Sequence, residues 1–514
     1  MSNNDKQKLT VDIKTYGCQM NVYDSEAAEG ILKHAGYEIV REGAPDTPDV
    51  TPVKAGIQNS GSPIKTFGGN KKEKSSVNAD VILMNTCSVR EHAEDRVYGR
   101  LGMLGKAKKK NPDLIVGLMG CMVEEHKEKL FKRFPQLDLM VGTRNIKDLP
   151  DLIEEVRKTR RQVSNIKQDG ISIEYSDLIN RHDKFHAWLP IMTGCNKVCT
   201  FCIVPVTRGS EVSMPSREVY REASRLANEG VKWITLLGQN VNSYDGNSKS
   251  GILNSKQIRN PNASNLEHPN LNIVSDFDIR DSDFLHTDRV TFPELLDMLC
   301  QIEGLERISF TTSHPQDATE ELFRVIARNP KISRRFHLPL QSGANHILRR
   351  MKRLHTYEDY RAKIEAMRKM IPDIAVTTDI IVGFSGETDE DYRATIQALQ
   401  EIRYDGAFIY KYSVRPGTPA AKLQDDVPLP VKEKRNQELL AIQREISDEN
   451  NRKWLGKAVS TFVEDVNPRN PAQVVGRTDQ DKKVIFEGSQ SQVGQFVKVT
   501  LVDLHHETFI GTSL

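Results

Sequence analysis

The chain has 514 residues, enough for several domains with their own buried cores. Its 72 basic and 70 acidic residues leave a formal charge of +2, so no global electrostatic footprint marks a polyanion partner and any basic patch has to be local. No run approaches the roughly 18 apolar residues of a membrane span, residues 1–10 lack the apolar stretch of an export signal, and seven cysteines are an odd number for a disulfide scaffold. A cytoplasmic chain with reduced thiols and no membrane contact is expected.

Residues 11–16 read as a strand. Asp24 or Ser25 is expected to cap a helix that runs to Ala35 and stops at Gly36. Residues 81–85 and 115–119 are apolar runs of strand length, with a helix over 91–109 between them. This alternation predicts a parallel sheet. Cys18, Cys87 and Cys121 each fall a residue or two beyond a different predicted strand. Parallel strands share one carboxyl edge, where open α/β proteins bind ligands, so three thiols far apart in sequence are expected to converge. Three separately buried core cysteines are the competing reading. Residues 41–78 are rich in Pro, Gly, Ser, Asn and Lys and read as an insertion, with Lys71, Lys72 and Lys74 as a solvated run.

Six further strands are expected over 187–192, 233–237, 307–311, 336–338, 374–381 and 407–412. Helices over 216–228, 292–302, 319–328, 357–370 and 390–402 separate them. Six strand–helix repeats predict an incomplete parallel barrel with its chemistry at the carboxyl ends. Residues 244–289 interrupt it as a loop insertion. A charged helix over 431–454 follows, then short strands over 459–463, 484–486, 496–502 and 507–510 that suit a small β-barrel. The expected fold class is α/β: an open parallel sheet domain over 9–165, a partial (β/α)6 barrel over 181–430, a linker helix over 431–451 and a β-barrel over 452–514.

The motif that carries most chemistry is Cys195-Asn-Lys-Val-Cys199-Thr-Phe-Cys202, just after the first barrel strand. A [4Fe–4S] cluster normally takes four thiolates. Three from one loop leave one iron open for another ligand. A structural zinc would want a fourth protein ligand, and His186, nine residues upstream, keeps that reading open.

This C-x3-C-x-F-C spacing resembles the signature of the radical S-adenosylmethionine superfamily, and the partial barrel is similar to its fold. Residues 15–21 (Thr-Tyr-Gly-Cys-Gln-Met-Asn), 24–26, 85–91 (Asn-Thr-Cys-Ser-Val-Arg-Glu) and 120–122 resemble the methylthiotransferases within it. So do Pro205, Arg208-Gly209, residues 312–315, 337–343, 378–388 and 415–420. The tail resembles the family's TRAM domain. Gln19-Met20 and Val89-Arg90-Glu91 resemble the branch that modifies N6-dimethylallyladenosine in tRNA.

The resemblance implies two [4Fe–4S] clusters, one on Cys195, Cys199 and Cys202 and an auxiliary one on Cys18, Cys87 and Cys121. It implies S-adenosylmethionine as cofactor, two per product, giving a 5′-deoxyadenosyl radical for the inert C2–H of adenine while the auxiliary cluster supplies sulfur. It also implies tRNA as substrate, a flavodoxin or ferredoxin-type reductant and an iron–sulfur carrier. Phe201, Gln239, Ser313, Gln341, Gly383 and Glu387 are the candidate cofactor contacts, each with a plain reading as turn or core residue. Arg349, Arg350, Lys352 and Arg353 are candidate contacts to RNA phosphates. Lys106, Lys108, Lys109 and Lys110 are read as helix-terminal charge. From Arg452 onward the tail has eight basic and seven acidic residues, so an RNA role there rests on resemblance. Cys300 is expected on a core-facing helix. The alternatives are a methylthiotransferase for threonylcarbamoyladenosine or a ribosomal-protein aspartate, an iron–sulfur RNA-binding regulator, and a zinc-stabilised scaffold.

Overall fold

A computed structural model describes residues 8–40, 79–88, 91–167, 178–246 and 289–514. Residues 41–78, 247–288 and the Val89-Arg90 pair lie outside the described residues, and with them most of both expected insertions. The first unit is a parallel six-stranded sheet. Its strands are β1 (Thr10–Tyr16), β2 (Glu38–Ile39), β3 (Val81–Thr86), β4 (Ile115–Gly120), β5 (Leu139–Val141) and β6 (Val163–Asn165), in spatial order β2-β1-β3-β4-β5-β6. β3 and β4 are buried along their whole length, which suits their near-continuous apolar sequences in a sheet covered on both faces. The covering helices are α1 (Gln19–His34), α2 (Glu91–Lys110), α3 (Cys121–His126), α4 (Lys129–Arg133) and α5 (Leu149–Thr159).

The expected start of α1 needs correction. The helix begins at Gln19 with Cys18 at its N-cap, and Asp24 and Ser25 lie inside it, buried. Their polar groups serve tertiary partners instead of a cap. Asp24 pairs with Arg208, and Ser25 Oγ accepts from Asn85 Nδ2 at 3.0 Å.

The second unit carries strands β7 (His186–Pro190), the short antiparallel pair β8 (Met192–Thr193) and β9 (Val212–Ser213), then β10 (Trp233–Leu237), β11 (Arg307–Phe310), β12 (Arg335–His337), β13 (Ala375–Val382) and β14 (Gly406–Lys411). The six long strands form two parallel three-stranded sheets, β11-β10-β7 and β12-β13-β14, linked by a parallel bridge from Ile308 to Ile332. This is the expected partial barrel. Helices α6 (Val204–Thr207), α7 (Ser216–Asn228), α8 (Phe292–Cys300), α9 (Glu320–Arg328), α10 (Asn345–Arg350), α11 (Tyr357–Met370) and α12 (Asp389–Ile402) cover it. Phe310 meets Phe292 and Phe336 edge-on at 5.2 and 5.5 Å, the arrangement that ring quadrupoles favour in a packed core. Cys300 ends α8, buried among these apolar side chains.

Helix α13 (Leu429–Arg452) leads to a closed barrel of β15 (Ala458–Val466), β16 (Gln473–Thr478), β17 (Lys483–Glu487), β18 (Phe496–His505) and β19 (Thr508–Ser513), ordered β15-β16-β17-β19-β18. This tail barrel docks on the amino ends of all six long strands. Gly494 lies against Phe185 and Phe462 meets Trp233 edge-on at 5.5 Å. Buried Arg307 pairs with Asp479 under the ring of Phe496. Arg335 bonds Asp481 at 2.6 Å, Gln480 reaches Asp373, and Lys482 reaches Asp405 at 3.2 Å. Among the described residues no helix is long and apolar enough to cross a membrane.

Candidate active site

The register of the first sheet sets Tyr16, Thr86 and Gly120 side by side at the carboxyl ends of β1, β3 and β4. Cys18, Cys87 and Cys121 follow these residues, so the three thiols share one edge as expected. A polar lattice fixes their spacing. Cys18 N–H donates to Asn21 Oδ1 at 3.2 Å, Asn21 Nδ2 donates to Asn85 Oδ1 at 2.9 Å, and Asn85 Nδ2 donates back to the Asn21 carbonyl at 2.7 Å. Cys87 N–H donates to the Tyr16 carbonyl at 3.0 Å. Gly120 has φ +95°, and a Cβ there would lie 2.4 Å from Asn85 Oδ1, so the strand end admits only glycine.

The second triad sits on the loop after β8. Cys195 N–H donates to the Gly209 carbonyl at 3.2 Å, and Thr200 is tied to α10 through Thr200 N–H to the Met351 carbonyl at 3.0 Å. Gly194 has φ +75°, and a Cβ would lie 2.0 Å from the Ser210 carbonyl oxygen. Burial pushes the thiols of Cys121 and Cys195 upward and that of Cys202 to about 12, so the metal-free thiols are protonated and a metal has to displace those protons.

The two edges face one another. Arg208, six residues beyond Cys202, reaches across to the first unit. Its Nε donates to Cys121 Sγ at 3.3 Å and its Nη2 to Asp24 Oδ2 at 2.7 Å. Cys18 packs with Trp188 on a small apolar cluster of Met20, Tyr23 and Leu237, the last residue of β10.

Donor spacing tests what these triads can hold. Zinc–sulfur bonds of about 2.3 Å place the sulfurs of a tetrahedral site about 3.8 Å apart. Among the described residues the one set of three metal-liganding atoms lying within 4.8 Å of each other is Glu94, Glu125 and His126, so neither cysteine triad is drawn in around a single ion. His314 Nε2 stands 3.9 Å from Cys199 Sγ without closing such a site. His186 is no fourth ligand either. It lies at the amino end of β7, bonded to Thr235 at 2.8 Å between Trp188 and Trp233. Three thiols on one edge, with no fourth protein donor closing a tetrahedral set among the described residues, suit a cluster with one open corner.

The predicted cofactor contacts gather at the barrel's carboxyl ends. Ser313 Oγ and Gln341 Oε1 are buried without a hydrogen-bond partner among the described residues, the condition of polar groups that await a ligand. Their neighbourhood stores backbone strain, with φ +65° at Thr312 and +77° at Gln341 itself. Phe201 packs on the cluster of Ala344, Ile347 and Phe384. Three other candidates already make bonds within the protein. Gln239 Oε1, expected to face the cofactor's amino group, accepts from Gly194 N–H at 2.5 Å and so braces the cysteine loop. Glu387 Oε2 is taken by Gly383 N–H at 2.7 Å and Arg435 Nη1 at 2.6 Å, so this pair fastens the turn after β13 to α13. Arg353 is buried, donating to Cys199 Sγ at 3.4 Å and the Pro339 carbonyl at 2.7 Å, and is not presented to a phosphate. Arg349 and Lys352 are exposed, and Arg350 is half-buried with its Nε on the Ser385 carbonyl at 2.9 Å.

Residues 189–399 match the Radical SAM superfamily, residues 10–53 and 64–142 the uncharacterized protein family UPF0004, and residues 455–512 the TRAM domain. A protein of Dictyoglomus thermophilum called tRNA-2-methylthio-N(6)-dimethylallyladenosine synthase is 39% identical over 96% of this chain and 95% of its own. One of the same name from Clostridium botulinum strain Langeland is 38% identical over 98% and 96%. The chain belongs to the tRNA-2-methylthio-N(6)-dimethylallyladenosine synthase family. The radical S-adenosylmethionine methyltransferase TsrM of Kitasatospora setae is a distant solved likeness, with TM-score 0.48, 13% identity and coverage of 80% of this chain and 77% of that one.

Within this synthase family the chain is a radical S-adenosylmethionine methylthiotransferase, which implies a [4Fe–4S] cluster and S-adenosylmethionine. Arg208 and Asp24 lie in the family motifs, yet their sequence positions alone assign them no part in the site. Their signal was present only as charge at motif positions, because what pairs them is a contact between two folded units.

Proposed function

We propose that the chain converts N6-dimethylallyladenosine beside the anticodon of a tRNA to its 2-methylthio derivative. The observation that carries this is the pair of thiol triads at carboxyl edges joined by Arg208, neither of them closed around a single ion among the described residues. Cys195, Cys199 and Cys202 would hold one [4Fe–4S] cluster, and Cys18, Cys87 and Cys121 the auxiliary one. With two S-adenosylmethionines per product, these groups supply when bound a 5′-deoxyadenosyl radical for the C2–H and a methylated sulfur to replace it. The protein's own residues position and enclose. Ser313 Oγ and Gln341 Oε1 offer buried polar atoms to S-adenosylmethionine, and Phe201 offers an apolar wall. Met20, Tyr23, Leu237 and Trp188 exclude water between the two edges. An adenine in a folded anticodon arm has to leave its stack to enter such a place. Arg349 and Lys352, exposed beside the barrel triad, are the remaining phosphate contacts. A flavodoxin or ferredoxin-type reductant and an iron–sulfur carrier are the expected protein partners.

The test replaces Cys18, Cys87 and Cys121 together by Ala. Deoxyadenosine formation is expected to survive while methylthiolated tRNA disappears by nucleoside mass spectrometry. Unchanged product would remove the second cluster from the scheme. The names of the relatives give the threonylcarbamoyladenosine and ribosomal-protein readings no support.

A further inference from the structure

Arg208 belongs to the barrel but is buried in the auxiliary site, with side-chain exposure of 3%. Its carbonyl accepts from Arg144 Nη2 at 2.8 Å, so the backbone is held as well as the side chain. A guanidinium offers five N–H donors in a rigid fork. Nε is used by Cys121 Sγ and Nη2 by Asp24 Oδ2. Nη1 is buried and has no partner among the described residues. A buried charged donor left unpaired is costly, so such an atom marks where a missing acceptor belongs. Asp24 already cancels the formal charge, which leaves directed N–H bonds as what Nη1 offers. Nη1 is itself buried, so an acceptor that reaches it has to be small.

We propose that Arg208 Nη1 binds a small anionic sulfur species, of the sulfide or methanethiolate class, in the auxiliary site. The barrel's own cysteine loop thereby completes the sulfur site of the other unit. Arg208 is a positioning residue in this role. The inference rests on the two-cluster reading above and adds the residue that receives the sulfur.

The test uses full-length protein carrying Cys195→Ala, Cys199→Ala and Cys202→Ala, reconstituted without oxygen and reduced with dithionite, so that iron and its EPR signal report the auxiliary site alone. Titration with sodium sulfide, followed by the change in that signal, gives an apparent dissociation constant. Arg208→Gln is expected to keep its iron and bind sulfide about tenfold or more weakly, the size of a lost charged hydrogen bond. Arg208→Lys, which restores a cationic donor, is expected to recover part of the loss. An unchanged constant in an Arg208→Gln protein that keeps its iron overturns the proposal. Where that variant sheds iron because Asp24 is left buried and unpaired, the Asp24→Asn, Arg208→Gln double variant takes its place under the same criterion. Loss of iron from the double variant as well would assign Arg208 to holding the cluster and overturn its sulfur role. Absence of iron when Arg208 is intact would instead fail the two-cluster reading itself.

Discussion

Cys195, Cys199 and Cys202 come from one loop of eight residues, whereas Cys18, Cys87 and Cys121 are gathered from three strand ends across more than a hundred residues of chain. The loop triad depends on a local turn, made by Gly194 in a left-handed conformation and by the tie from Thr200 to α10. The scattered triad depends on sheet register and on the Asn21–Asn85 amide pair that locks α1 to β3. Each triad also receives one buried arginine. Arg208 brings its own carboxylate, Asp24, while Arg353 has no acidic side chain within ion-pair distance among the described residues. Equal thiol counts therefore conceal different dependences, and different substitutions should disable each site.

The largest expected effect separates the two by geometry. Gly194→Ala places a Cβ 2.0 Å from the Ser210 carbonyl oxygen in a left-handed backbone. Deoxyadenosine formation is expected to fall by about a hundredfold, given that misplacing catalytic groups by about 1 Å costs that much, and iron at the barrel triad to fall with it. Auxiliary iron should remain, and equal loss at both sites in an iron assay would break the comparison. Next comes Asn85→Ala, which strands the Asn21 side chain in a buried place at a cost of about 1–3 kcal/mol. The reverse pattern is expected: a lower melting temperature, auxiliary iron lost, deoxyadenosine formation kept.

A smaller difference concerns the arginines. Hydrogen bonds and charge near the sulfurs set a cluster's potential. With a cluster on each triad, as proposed, Arg353→Gln is expected to lower the barrel cluster's potential by more than Arg208→Gln lowers the auxiliary one's, because Asp24 already offsets Arg208. Spectroelectrochemical titration of each cluster checks the order. The smallest effect is a control at the far end of β7. Burial pushes His186 down to about 4 from the usual 6.5, so its neutral form belongs to the folded state. The unfolded chain binds the extra proton, so stability present above pH 6.5 is lost as pH falls toward 4, by about 1–3 kcal/mol in all. His186→Gln should flatten that slope in thermal melts and leave the iron of both triads unchanged.

Much of this arrangement was readable beforehand. The apolar runs of β3 and β4 and the triad spacing placed all six thiols at carboxyl ends, because period and strand direction are local properties of a chain. Helix α5 was equally legible, with Leu149, Leu152, Ile153 and Val156 buried at helical spacing, but it carries no motif and went unread. Strand β16 was hidden by Gly476, which sits where the Phe462 carbonyl approaches too closely for any side chain. Asp24, Gln239 and Arg353 share one property that local sequence does not show. A polar residue near a predicted helix start or strand end is a cap or a ligand contact by local logic, and only the folded chain shows that its partner comes from another element.

The tail barrel seals the amino ends of the six long strands, while both sulfur edges lie at the carboxyl ends. A strand of five to eight residues measures roughly 17–26 Å. Any molecule gripped at once by the tail and by the reaction centre has to reach around the flank of the enzyme over at least that height. A lone nucleoside cannot span that height, and a folded polynucleotide arm can.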